Sequence, residues 1–182
     1  MRLPATTAPW YLRIWLAARA RKHGAPLEPT LLWARVPRVF LAFMAMFGAL
    51  RRRASPLPPR LRALVSVRVS QLTGCEFCID MNSAFFRDAG GDLDLLQRAS
   101  EWETDPALGE AERAALAYAE AVTATPPVVS DALFERVRRA WGEDATAELT
   151  ALIAFQNLSA RFNAALDARA YGFCSLPADR SG

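Results

Sequence analysis

Apolar positions recur at helical spacing through most of the chain, and proline and glycine mark where the pattern restarts. A first helix is predicted from about Pro9 to Lys22, ending at "HGAP". A second stretch starts near Pro29, is interrupted at Pro37, and runs to Arg51, Arg52 and Arg53. "SPLPP" makes a rigid break. From Pro59 the chain enters "RLRALVSVRVSQLTG", and from Gly74 "CEFCIDMNSAFFRDAGG". "DLDLLQRASEWE" reads as a short amphipathic helix with acidic residues at its start, where the helix dipole favours them. "GEAERAALAYAEAVTA" is alanine-rich and strongly helical. In "PPVVSDALFERVRRAW" Ser130 is the expected N-cap, and "GEDATAELTALIAFQNLSARFNAALDARAYG" is the long closing helix.

One segment carries two patterns. Val65, Val67 and Val69 alternate with Ser66, Arg68 and Ser70 as in a strand, while Leu61, Leu64, Val65, Arg68 and Leu72 give a helical face. With no partner strand evident elsewhere, the helix is the consistent choice. The expectation is an all-α fold of about seven or eight helices in a single domain over 1–182, with no internal repeat.

Composition narrows the class. Of 182 residues, 52% are hydrophobic and 23% charged, which excludes a disordered chain. Three cysteines are too few for a secreted disulfide scaffold, so a reducing, cytoplasmic compartment is expected. "PWYLRIWLAA" is broken by Arg13 and lacks a cleavage pattern. "VFLAFMAMFGAL" (Val39 to Leu50) has the length of a buried core helix rather than a membrane span. The net charge of +3 hides an asymmetry: residues 1–62 carry twelve Lys+Arg against one acid, Glu28, and residues 63–182 carry ten against eighteen acids. Such halves suit mutual packing or contact between subunits. No recognition motif accompanies the basic residues, so neither nucleic acid nor membrane is expected as a partner.

The chemistry centres on "GCEFCIDMN", Gly74 to Asn82. Cys75 and Cys78 stand at i and i+3, and Gly74 breaks the preceding helix, placing the pair in the first turn of a new one. Free backbone N–H groups and the positive dipole end stabilise a thiolate there. Zinc would need further ligands, and Cys174 and His23 are both remote. A redox pair and two packed apolar side chains remain the competing readings.

"LRALVSVRVSQLTGCEFCIDMNSAFFRDAG" resembles the core motif of the carboxymuconolactone decarboxylase family, in its alkylhydroperoxidase (AhpD-like) branch. "PRVFLAFMAMFGAL" is similar to the family's preceding helix, and the segment from Ser130 to Leu166 to its closing pair, with Asn157 and Arg161 at characteristic positions. The resemblance covers roughly residues 30–168, leaving 1–29 as an N-terminal helical extension. It implies an AhpD-like helical bundle assembled as a trimer or hexamer. It also implies Cys78 as the peroxidatic cysteine, Cys75 as the resolving one, and a separate dithiol as reductant, with no metal, flavin or haem.

Two positions depart from the family pattern. Asn82 stands where the family has histidine, and Ala63 where it has glutamate. Those two residues form the family's proton relay. An amide hydrogen-bonds but carries no proton, and alanine does neither. The expectation is a peroxidase-type oxidoreductase weakened by the missing relay, or a thiol oxidoreductase. The alternative is a member that has lost catalysis and serves as a helical binding or assembly module. A lactone decarboxylase is less consistent with the cysteine pair.

Other candidates are read as structural. Glu76 and Asp80 are expected as solvated helix-face charges, because a carboxylate beside a thiol raises its pKa. His23 suits a cation at a helix end, and Arg68 a surface position. Asn157 and Arg161 are expected to clamp a neighbouring helix. Cys174, in the tail, has no assigned redox role. Trp10, Trp15, Trp33, Phe40, Phe43 and Phe47 are candidates for the core or for subunit contacts.

Overall fold

The protein is seen as a computed structural model that describes residues 2–3, 9–13, 16–17, 28–98 and 101–174. Among them every regular element is a helix. From residue 28 onwards these are α1 (Glu28–Trp33), α2 (Pro37–Leu50), α3 (Pro59–Leu72), α4 (Glu76–Asp88), α5 (Leu93–Gln97), α6 (Glu110–Thr123), α7 (Asp131–Trp141) and α8 (Glu143–Ala165). Residues 10–13 and 16–17 are helical as well. The rest of the expected first helix, with Trp15 and His23, lies outside the described residues.

The segment with two patterns is α3, a central helix that packs against α4, α6 and α8. Leu61, Leu64, Val65, Val67 and Val69 are all buried, so apolar residues point in nearly every direction and mimic a strand's alternation. Pro59 opens this helix without loss, since the first turn has no partner for its missing N–H. The Ser130 side chain accepts the Leu133 N–H at 3.2 Å and caps α7. The main core gathers Leu61, Val65, Phe86, Leu116, Leu149 and Ile153 from α3, α4, α6 and α8.

Several expectations change. The helix at "DLDLLQRASEWE" ends at Gln97, and the closing helix ends at Ala165, followed by Asp167 at φ +57°. The apolar run in α2 is not a buried helix: Phe40 and Leu50 face the core, whereas Val39, Leu41 and Met46 are exposed. No described helix is long and apolar enough to cross a membrane. Trp10, a core candidate, is 73% exposed. Trp33 and Phe40 are buried, and Phe43 and Phe47 pack against the core from its edge. Part of the charge asymmetry closes within the chain, through Arg52 with Glu148 and Arg60 with Glu112.

Candidate functional site

Gly74, at φ +65°, turns the chain from α3 into α4, a conformation that costs glycine little. Cys75 is the N-cap of α4, and its Sγ accepts the Cys78 N–H at 3.3 Å, the place usually taken by Ser or Asp oxygen. The two sulfurs therefore belong to one helical turn at the positive end of α4. Both residues are buried, Cys75 at 1% and Cys78 at 3% exposure, among Leu32, Phe77, Ala160 and Ala168.

The closing helix reaches over this pair. The amide nitrogen of Asn163 donates to Cys78 Sγ at 3.3 Å, and Ser159 and Gln156 are further polar groups bearing on the same sulfur. These three residues are spaced as one stripe of α8. Hydrogen bonds from Cys75 first, then from Asn163, Ser159 and Gln156, hold the Cys78 thiol below its usual range, although burial pushes it up. Cys75 moves up, because it is the donor toward Cys78 and because it is buried. The pair thus favours a single proton kept on Cys75.

The two relay positions do other work. Asn82 donates its amide to Ser70 Oγ at 3.2 Å, and Gln156 donates to the same oxygen at 2.9 Å. The Ser70 hydroxyl in turn donates to the Ser66 carbonyl at 2.6 Å. An uncharged network thereby ties α3, α4 and α8 together beside the sulfurs. Ala63 is core, at 3% exposure.

Asp80 corrects its sequence reading. It is buried, and its carboxylate accepts the backbone N–H groups of Tyr171 and Cys174, each at 2.8 Å. Glu76 is exposed, as expected. The tail is held further by Arg87, which donates to the Phe173 carbonyl, and by the edge of Tyr171 against Phe77. Cys174 is buried at the end of this strap. Arg68 does not reach the sulfurs and is not a free surface arginine: it pairs with Glu120, which also accepts the Trp102 indole N–H. Asn157 and Arg161 clamp the end of α6, bonding the Thr123 hydroxyl at 2.9 Å and the Thr123 carbonyl at 3.3 Å.

Sequence reading passed over Gln156, Ser159 and Asn163, and took Trp33 only as a candidate for the core or a subunit contact. A signal was there: Gln156, Ser159 and Asn163 repeat at helical spacing along one stripe of the closing helix, beside the apolar Leu152, Phe155 and Ala160, and buried polar side chains need partners.

Known proteins align with this arrangement. The model of the carboxymuconolactone decarboxylase family matches residues 37–121, which include the cysteine pair. The Escherichia coli (strain K12) protein YnjA is 42% identical over 178 residues, 98% of each chain. The chain belongs to the carboxymuconolactone decarboxylase family. Among solved structures, the debrominase Bmp8 superposes with a TM-score of 0.77 at 25% identity, over 90% of this chain and 88% of Bmp8. A peroxidase-related protein with an alkylhydroperoxidase AhpD core, from Ralstonia eutropha JMP134, gives 0.81 at 24% identity, over 94% and 92% of the two chains. The fold of this family member is accordingly the AhpD-like helical one.

Proposed function

We propose that this protein is a thiol–disulfide oxidoreductase that reduces peroxides, with Cys78 as the attacking sulfur and Cys75 as the resolving one. The observation that carries the reading is the pair itself: Cys78 held toward the thiolate by donors, with a protonated Cys75 one turn away. Membership of the family and the peroxidase-related structural neighbour support it.

The steps balance with the groups at hand. The Cys78 thiolate attacks one peroxide oxygen, the O–O bond breaks, and Cys78 becomes a sulfenic acid while an alkoxide leaves. With Asn82 and Ala63 where the family has histidine and glutamate, we assign the alkoxide's proton to the Cys75 thiol, so that it departs as alcohol. The Cys75 thiolate then attacks the Cys78 sulfur, expelling hydroxide and forming the disulfide. An external dithiol returns both cysteines to thiols by exchange.

A second reading follows from Bmp8, a debrominase whose cysteine-to-alanine variant has been crystallised with 2,3,4-tribromopyrrole. The same pair would remove bromine from an electron-rich ring: Cys78 takes the bromine, the ring carbon keeps the bonding electrons and is protonated, and Cys75 displaces bromide to give the disulfide. The product-side requirement, a dithiol reductant, is shared.

The family implies a trimer or hexamer, and the exposed Val39, Leu41 and Met46 of α2 are the surface we assign to contact between copies. A reducing, cytoplasmic setting suits three free thiols.

The deciding experiment gives reduced protein a hydroperoxide or a polybrominated pyrrole and follows substrate loss together with the mass change of disulfide formation. Consumption of one of them, abolished by Cys78→Ser, supports the reading and chooses its substrate. If both cysteines stay thiols in both reactions while free cysteine is oxidised, the protein is a helical assembly module instead.

A further inference from the structure

Trp33 lies on α1, far from the cysteines in sequence, yet it governs a group that touches Cys78. Its ring is clamped between Phe43, with centroids 4.3 Å apart, and Phe162, 3.7 Å apart, both nearly parallel to it. At 4% exposure it has little freedom to turn. From that position the indole Nε1–H donates to Asn163 Oδ1 at 3.3 Å.

An indole nitrogen donates and never accepts. The bond therefore selects which end of the Asn163 amide faces Trp33: the oxygen. The other end, carrying two N–H groups, is left facing Cys78 Sγ at 3.3 Å. Side-chain amides are often ambiguous between their two orientations, but here a donor-only neighbour decides the matter. A carboxylate at 163 would accept from Trp33 equally well and would present negative charge to the sulfur.

We propose that Asn163 is a thiolate-binding catalytic residue of this site, and that Trp33 is the positioning residue that keeps its N–H groups turned toward Cys78. The proposal rests on the reading of Cys78 as the attacking sulfur. Its chemistry is that of a preorganised donor aimed at a charge present in the reduced enzyme and weakened once Cys78 is bonded to oxygen or sulfur. Asn163 thus favours the reduced pair over the disulfide and makes the couple more oxidising. The other groups bearing on this sulfur from α8, Ser159 and Gln156, are uncharged, while α4 supplies Cys75 itself, with Glu76 acting on Cys75.

The test is the pH profile of Cys78 alkylation by iodoacetamide, resolved by mass, on the full chain, together with its thiol–disulfide equilibrium against glutathione. Neither readout needs turnover, so failure to consume a peroxide leaves the test intact. Asn163→Leu is expected to move the alkylation midpoint up by roughly one pH unit, the size of one hydrogen bond to a charged group. Asn163→Asp, of the same size, should move it further. Trp33→Phe, which keeps the stacked ring and deletes the N–H, should move it in the same direction by less. The double variant Trp33→Phe/Asn163→Leu should match Asn163→Leu alone, because Trp33 acts through Asn163. Each shift toward higher pH should accompany a more reducing couple. A folded Trp33→Phe protein with an unmoved midpoint overturns the positioning role, as does a Trp33→Phe shift that adds in full to that of Asn163→Leu. If Asn163→Leu fails to fold, Asn163→Asp and Trp33→Phe decide: an unmoved midpoint in Asn163→Asp rejects the thiolate contact.

Discussion

One oxygen of the Asp80 carboxylate lies 2.8 Å from the backbone nitrogen of Tyr171, so a buried charge on α4 holds the polypeptide that follows α8. Its other oxygen takes the Cys174 N–H, which fills the carboxylate with two charge-assisted bonds. Asp80→Ala should free the strap. The expected result is labelling of the buried cysteines by a thiol reagent that is at least about tenfold faster, since two such bonds oppose local opening. Unchanged labelling would show that the strap does not limit access to the sulfurs.

Ser70 is fully buried and serves two amides at once. Ser70→Ala leaves the Asn82 and Gln156 N–H groups facing an apolar methyl, at a cost of about 1–3 kcal/mol for each donor left without a partner. For a chain of this length each kcal/mol lowers Tm by about 2–4 °C. Differential scanning calorimetry checks this, and a loss under one degree would mean that the amides find other acceptors.

The hydrogen bond from Cys75 is the main cause that lowers Cys78. Wild-type Cys78 should therefore alkylate with a midpoint below the ordinary thiol value of about 8.5, and the rate should fall as pH drops through that lowered midpoint. Cys75→Ala removes the donor and should move the midpoint upward. The linkage has a definite sign as well. A thiol depressed on folding adds stability above its unfolded-state pKa and loses it as pH falls through the folded-state one. The raised Cys75 acts oppositely, its contribution being present below the unfolded-state pKa and lost as pH rises.

Asn82→His restores a proton carrier at the position where the family has one. Combined with Ala63→Glu it should raise peroxide consumption by up to about 10²-fold, the lower end of the contribution of positioned acid–base groups. The gain comes with a lower Tm, because Ala63 is core and a glutamate there must be buried. Stopped-flow kinetics under a large excess of dithiol reads the rate. A folded double variant no faster than wild type would mean that proton transfer is not the limiting step here.

The fold was legible because its signals are local. Pro59, Gly74 and Ser130 each stand where a helix starts or a chain turns, and the structure uses each of them there. The cysteine pair was legible for the same reason, being one turn of one helix. What surrounds the pair was not, since it arrives from elsewhere. Asn163 meets Cys78, and Trp33 meets Asn163, only once α1 and α8 have packed, and nothing in the spacing of those residues from Cys75 encodes that. Asp80 misled for a related reason: a carboxylate on a helix face is normally solvated, and only the returning strap, which presents two N–H groups, makes its burial favourable. Trp10 shows the opposite limit, an aromatic side chain at helical spacing that stays exposed.

The cysteines lie within residues 37–121, the stretch that matches the family model, whereas Trp33, Gln156, Ser159 and Asn163 all lie outside it. The stretch that matches the family model and the side chains that reach Cys78 from α8 thus come from different parts of the chain. Under the proposed contact from Asn163, a substitution on that stripe of α8 would alter the surroundings of Cys78 while leaving the family stretch unchanged.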